Sequence, residues 1–302
     1  MAYETAYPAV DLTHLAARAG ALATSEGFNA TCLPRVHVHT ASAPMDRQPI
    51  LYDAWLVALL QGEKILYQRE RVIRFNQESV LCVAAGTPTE CVALASSDAP
   101  LISVVLEINT EDLLSMAARI ADPADADPTP PHVMDIVPMT PDIQDTLRRL
   151  IDLMHNPLDA SVLGDGTVTE LIYRVLQNGL ARSLVALASN RNTAAILRTL
   201  RTIQQSYAEA LSVDALAKQA GMSVSSFHAH FRKTTAHPPQ KYIKRIRLSK
   251  ARSLIGGGHQ TVREAAFAVG YSSASQFSRE YKQYYGVKPG AHVPSAYGCS
   301  TL

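Results

Sequence analysis

Cysteine is scarce in this 302-residue chain: Cys32, Cys82, Cys91 and Cys299 are the only four, and no pair has C-x-x-C spacing. That spacing excludes a disulfide-stapled scaffold and the common zinc patterns, and reduced thiols in a cytoplasmic protein are expected. No apolar run approaches the roughly 18 residues needed to cross a bilayer. The opening MAYETAYPAV has neither a basic residue nor a hydrophobic core, so no secretory signal is expected. There is no G-x-S-x-G, no P-loop and no Rossmann glycine pattern, which removes the commonest hydrolase and nucleotide-binding motifs. Net charge is also small, at +1.

That small total conceals a division. Residues 190–302 carry 16 Lys and Arg against Glu209, Asp214, Glu264 and Glu280, a net of +12, which leaves −11 for residues 1–189. A polyanionic partner suits the second part and not the first.

Texture divides the chain at the same place. Residues 11–24 have the spacing of a short amphipathic helix. Short apolar runs punctuated by Gly and Pro predict strands at 35–39, 51–60, 64–68, 71–75, 79–84, 90–95 and 101–108. So many short strands point to a sandwich or barrel. Helices are expected over 111–120, from Thr140-Pro141 to about His155, and from Thr167 to about Ala188; the Pro- and Asp-rich stretch 122–138 reads as a loop. The polar run 189–193 marks the junction, and helices dominate beyond it.

Within the basic part, SVDALAKQAGMSVSSFHAHFRK has the logic of a helix-turn-helix. Ser212 caps a first helix and Ala217 is small where two helices touch. Gly221 supplies the positive φ of the turn, and Ser223 caps a second helix buried through Phe227 and Phe231. Forty-nine residues on, TVREAAFAVGYSSASQFSREYKQ repeats it with Thr261, Ala266, Gly270, Phe277 and Tyr281. The outward faces present Ser225, Ser226, His228, Ala229 and Arg232 in the first unit, and Ser275, Gln276, Ser278, Arg279 and Lys282 in the second. Between the units, PPQKYIKRIRLSKARSLI has helical spacing. A connector of about 16 residues spans roughly 24 Å and suits reading heads set about one DNA turn apart. Its Lys241, Lys244, Arg245 and Arg252 are candidates for phosphate contact or plain solvation.

On GMSVSSFHAHFRK, RIRLSKARSLI and GYSSASQFSREYKQYYGVKPG, residues 195–293 resemble the DNA-binding domain of the AraC/XylS regulators. The resemblance implies seven helices in two helix-turn-helix subdomains (about 212–233 and 261–283) within a unit at 194–294. Base-reading slots fall on Ser225, His228, Ala229, Ser275 and Arg279. The full candidate DNA-binding set adds Ser226, Arg232, Gln276 and Lys282. Arg279 stands out because a guanidinium can donate two hydrogen bonds to guanine. Residues 28–108 resemble the N-terminal domain of one AraC subgroup through TCLPRV, PILYDAWLVALLQGEK and ALASSDAP. This implies an α+β chain. A cupin-like sensor barrel with flanking helices occupies 1–188, and helices at about 140–188 are offered for dimerisation. Implied partners are double-stranded promoter DNA, RNA polymerase, a small-molecule effector and a second copy, with no membrane.

A cupin-like barrel also raises an alternative, a metal-dependent enzyme fused to a DNA-binding module. His37 and His39 share one strand face, as a ligand pair would. Yet no Glu follows at short spacing and no His occurs between residues 40 and 131, so no metal, cofactor or catalytic residue is assigned. Tyr52, Trp55, Leu59, Gln61 and Lys64 are the candidate effector-pocket residues, since apolar walls with few polar groups suit small ligands. Cys82 and Cys91, expected on neighbouring strands, could respond to electrophiles, but a buried structural role is the first expectation.

Overall fold

The computed structural model describes residues 11–68, 71–120, 132–181, 184–186, 190–256 and 260–291. Cys299, the expected loop over 122–131 and the expected helix end at 187–188 lie outside them.

Among the described residues, ten strands build the N-terminal half: β1 Gly27–Ala30, β2 Val36–Ala41, β3 Met45–Tyr52, β4 Trp55–Gln61, β5 Glu63–Gln68, β6 Arg71–Phe75, β7 Ser79–Val83, β8 Thr87–Leu94, β9 Leu101–Glu107 and β10 Met134–Pro138. They form two antiparallel sheets, one in the order β1-β2-β9-β4-β7-β10 and one in the order β3-β8-β5-β6. A core drawn from both inner faces joins them, including Trp55, Leu59, Leu66, Phe75 and Leu101.

Helices α1 (Leu12–Gly20), α2 (Thr110–Ile120), α3 (Pro141–Met154) and α4 (Pro157–Val175) belong to this half; α1, α2 and α3 pack through a core shared with the outer face of the larger sheet. That sheet is therefore buried on both sides. In β4, Trp55, Val57 and Leu59 point inward while Leu56, Ala58 and Leu60 meet the helices. Burial on both faces explains why WLVALLQ is a continuous apolar run. In β6, Ile73 and Phe75 are buried while Val72 and Arg74 are exposed, so RVIRF alternates.

Three readings need correction. The expected strand 51–60 is two strands, β3 and β4, which turn at Asp53-Ala54. After Met45, β3 runs through the polar Asp46, Arg47 and Gln48 and contains Pro49, which is tolerated because β3 is a sheet edge. The expected loop ends in β10, another edge strand, five residues long and closed by Pro138. The helix expected from Thr167 begins ten residues earlier. Asn156 accepts from the Leu158 and Asp159 amides, Pro157 occupies the first turn, and Thr167 lies mid-helix with its hydroxyl on the Leu163 carbonyl.

The C-terminal half contains α5 (Arg191–Ser206), α6 (Val213–Gln219), α7 (Val224–Thr235), α8 (Pro239–Gly256), α9 (Val262–Ala268) and α10 (Ala274–Tyr285), then a 3-10 turn at Pro289–Ala291. Phe227, Phe231, Tyr242 and Ile246 join the same continuous core as the helices covering the larger sheet, whereas Phe277, Tyr281, Leu248 and Ala266 form a core of their own. The seam between the halves is polar as well as apolar. Asp53 accepts from Gln204 Nε2 at 3.1 Å and pairs with Lys250 Nζ at 3.2 Å. Tyr242 donates to the Gly86 carbonyl, and Arg201 pairs with Glu111.

Candidate nucleic-acid interface

Four short hydroxyl side chains start the four helices of the two repeated units. Ser212 Oγ accepts from the Ala215 amide, Ser223 Oγ from Ser226, and Ser273 Oγ from Gln276. Thr261 and Glu264 form a reciprocal capping box. Each cap satisfies an amide that a helix start leaves unpaired. The turns follow at Gly221, with φ +68°, and Gly270, with φ +86°.

With these starts in place, the aromatic pairs fall inward. Phe227 and Phe231 stack at 5.4 Å between centroids and Phe277 and Tyr281 at 5.5 Å, and all four are fully buried. The opposite faces of α7 and α10 are turned to solvent. Ser225, Ala229 and Arg232 are exposed and Ser226 and His228 half-buried on α7; Ser275, Gln276, Arg279 and Lys282 are exposed on α10. Gln276 is partly engaged, with Nε2 donating to Glu280 at 3.3 Å. A groove of about 550 Å³ beside α10 brings Arg279 and Lys282 together with Lys288. Lys288 escaped the sequence reading because it follows the second unit, outside the helical periodicity.

The connector cations behave differently from one another. Lys241 is exposed, while Lys244 pairs with Glu280 at 3.2 Å. Arg245 faces the seam, donating to His237 Nε2 at 2.6 Å. Arg252 is buried, bonded to the Pro49 carbonyl at 3.3 Å and 5.1 Å from the Tyr285 ring centre. Of the four candidates, only Lys241 stands free of a described partner. Arg247, which the sequence did not single out, donates to the carbonyls of Tyr207, Glu209 and Gly270 and so ties α5 to the second turn. A guanidinium with no carboxylate near it in sequence gives no sign of such carbonyl pairing.

In the N-terminal half, Tyr52, Trp55, Leu59 and Lys64 are all buried, the first three in the inter-sheet core; the Lys64 Nζ lies 5.9 Å from the Tyr52 ring centre. Burial lowers the Lys64 pKa, with Cys91 opposing. Gln61 is not with them: beyond a register shift in β4, it donates to the Pro100 carbonyl at 2.8 Å. His37 and His39 register against Val105 and Ser103 on the inner face, and both are buried. His37 Nε2 lies 3.3 Å from Glu107, and His39 packs edge-on against Phe28. Among the described residues no group of three or more His, Cys, Asp or Glu side chains is placed to hold a metal.

Cys82 and Cys91 are not on neighbouring strands. They lie on β7 and β8, in different sheets, with Cys82 facing the helices and Cys91 the inner core. The alternation cue could not separate two sheets that succeed each other in sequence. Burial raises both thiols, Cys91 to about 11.

The helices at about 140–188 offered for dimerisation carry an apolar stripe (Ile143, Leu147, Leu150, Ile151, Met154, Leu171, Val175, Leu180 and Leu184) that packs inside the chain, every member buried. Exposed apolar surface lies on another face of α4, at Leu158, Val162, Leu163 and Tyr173.

Comparison with known proteins places these units. Residues 32–182 match the family described as the AraC-type transcriptional regulator N-terminus, and residues 216–293 match a helix-turn-helix domain family. The HTH-type transcriptional activator RhaS of Salmonella schwarzengrund (strain CVM19633) is 26% identical over 143 residues, 47% of this chain and 51% of its own length. The chain thus spans about half the length of the curated relatives it matches. Among solved structures, unsaturated fatty acid bound ToxT from Vibrio cholerae strain SCE256 aligns with a TM-score of 0.55 at 11% identity, covering 88% of this chain and 97% of that one. ToxT from Vibrio cholerae O395 bound to a naphthyl-butenoic acid gives 0.52 at 12% identity, covering 85% and 96%. At these identities the likeness is one of fold, an N-terminal sheet domain followed by a helical helix-turn-helix region. No helix among the described residues is long and apolar enough to cross a membrane.

Proposed function

The chain belongs to the AraC family of transcriptional regulators, and from that membership we propose that it reads promoter DNA through α7 and α10 in the cytoplasm, adjusting transcription in contact with RNA polymerase. The observation that carries this reading is the pair of outward faces, Ser225–Arg232 and Ser275–Lys282, both turned to solvent on a part with a net charge of +12. Exposed cations next to short polar groups meet the two needs of a reading helix, phosphate neutralisation and access to base edges. Residues 194–294 serve as the DNA-binding unit. The two-sheet domain is a cupin-like signal module rather than an enzyme. Its effector site is the inner core at Tyr52, Trp55, Leu59 and Lys64, with Ser103, whose hydroxyl is buried with no hydrogen-bond partner, available to a ligand.

A homodimer is part of the proposal, now through the exposed α4 face. It would present four helix-turn-helix units to paired sites.

Sequencing the DNA that co-purifies with the full chain from cells, followed by fluorescence anisotropy on the enriched duplex, tests the reading. Recurrent short motifs bound at least a hundredfold more tightly than random duplex are expected. Equal affinity for every sequence would overturn it.

A further inference from the structure

A cleft of about 680 Å³ lies along the seam between the two halves. Arg47 of β3, Arg71 of β6 and Glu90 of β8 line one wall; Arg232 and Lys233 at the end of α7, with Arg245 of α8, line the other. Two of these five cations are neutralised. Arg47 Nε stands 2.7 Å from Glu90, and Arg71 Nη2 stands 2.9 Å from Asp135. The remaining three, Arg232, Lys233 and Arg245, have no carboxylate partner among the described residues. Arg245 Nη1 lies 2.6 Å from His237 Nε2, and the Arg245 Nε is buried with no hydrogen-bond partner. Like charges thus converge on one cleft from two halves of the chain.

We propose that this seam binds a small, multiply charged oxyanion, a phosphate ester or a di- or tricarboxylate, bridging the two halves. Three uncompensated positive charges call for two or three negative ones, and arginine forks match phosphate and carboxylate oxygens. A long-chain monocarboxylate offers one charge and an apolar tail to a wall that also holds Gln68, Thr87 and Thr89. Arg232 belongs both to the cleft and to the outward face of α7, so an anion that engages it competes with DNA. Each ligand then weakens the other by the same factor. This consequence rests on the DNA-reading proposal; binding of the anion does not.

Isothermal titration of the full chain in low-salt, phosphate-free buffer tests the site, with pyrophosphate, citrate and an unsaturated fatty acid as separate arms. One equivalent of pyrophosphate or citrate is expected to bind, and whichever arm is tighter distinguishes the phosphate from the carboxylate source. Lys233→Gln combined with Arg245→Gln should weaken binding at least tenfold. Val72→Glu should do the same, because Val72 lines the cleft yet is 62% exposed, so folding does not need it. Arg74→Gln, outside the cleft on the same strand, should change nothing. Binding of the fatty acid alone, no binding in any arm, or equal losses in Arg74→Gln would overturn the proposal. A chain that binds the anion but no DNA would sink the regulator reading and leave this site standing.

Discussion

Tyr242 of α8 donates its hydroxyl to the Gly86 carbonyl at 2.5 Å, across 156 residues of sequence and in a fully buried setting. The bond joins the connector between the two reading units to the turn before β8. Its surroundings close tightly: a Cβ at Gly86 would stand 1.9 Å from Gln204 Nε2. Burial and the nearby Asp53 push the Tyr242 phenol far above its ordinary pKa, so it remains a donor at any working pH.

Tyr242→Phe should therefore leave a buried carbonyl unsatisfied and destabilise the closed arrangement by about 1–3 kcal/mol. Hydrogen exchange should quicken on both sides of the seam, at residues 84–88 and along α8. Faster exchange confined to α8 would mean that the bond does not couple the halves.

The two turn glycines should differ sharply. Gly221→Ala meets no atom within 4 Å and should cost about 1–2 kcal/mol for its left-handed backbone alone. At Gly270 a Cβ would sit 2.2 Å from the Ala208 carbonyl oxygen. Backbone cannot give way as a side chain can, so Gly270→Ala should cost several-fold more and expose the second core. Chemical denaturation of the two variants checks this; equal costs would refute it.

On DNA, Arg279→Ala should lose about 1–3 kcal/mol on the preferred site and relax choice at one or two base pairs. Lys244 sits against Glu280, so its charge is already compensated. Lys244→Ala should leave the salt dependence of binding nearly unchanged, whereas Lys282→Ala should reduce the slope of log affinity against log salt by about 0.9. Anisotropy titrations at several salt concentrations separate the cases, and a Lys244 effect equal to that of Lys282 would show that its ion pair opens on DNA.

The capping box makes the second unit sensitive to acid. Hydrogen bonds from the Thr261 amide and hydroxyl hold the Glu264 carboxyl below its ordinary pKa of 4.5. A depressed carboxyl contributes stability that is present above the ordinary value and lost as pH falls through the folded one. Stability of the unit should thus drop below about pH 4.5, and Glu264→Ala should remove this contribution to the pH dependence. A variant that keeps the full wild-type pH profile would show that the cap does not set it.

Much of the reading apparatus was legible without coordinates, for local reasons. A cap, a small residue, a glycine and an aromatic pair four apart act within one or two helical turns, so spacing alone placed Ser212, Gly221, Phe227 and their repeats at Thr261, Gly270 and Phe277. The double-sided burial of β4 was also foreshadowed by its unbroken apolar run, although alternation could not tell which of its residues face inward. Two edge strands were not legible: the first half of β3 is mostly polar and contains Pro49, and β10 ends a Pro- and Asp-rich stretch, so neither shows the clean alternation by which β6, also an edge, could be read.

Only the tertiary structure decided what the long side chains do. Lys244, Arg245, Arg247 and Arg252 lie within nine residues of one helix, yet one meets a carboxylate, one a histidine, one three carbonyls and one a half-buried ring and a carbonyl. Their partners come from elements 23 to more than 200 residues away along the chain, apart from His237. A flexible cation has no local pattern that reveals its target. The sequence by itself determined that the C-terminal half is basic and doubly helix-turn-helix; folding determined which of those charges remain free for DNA and which converge on the seam.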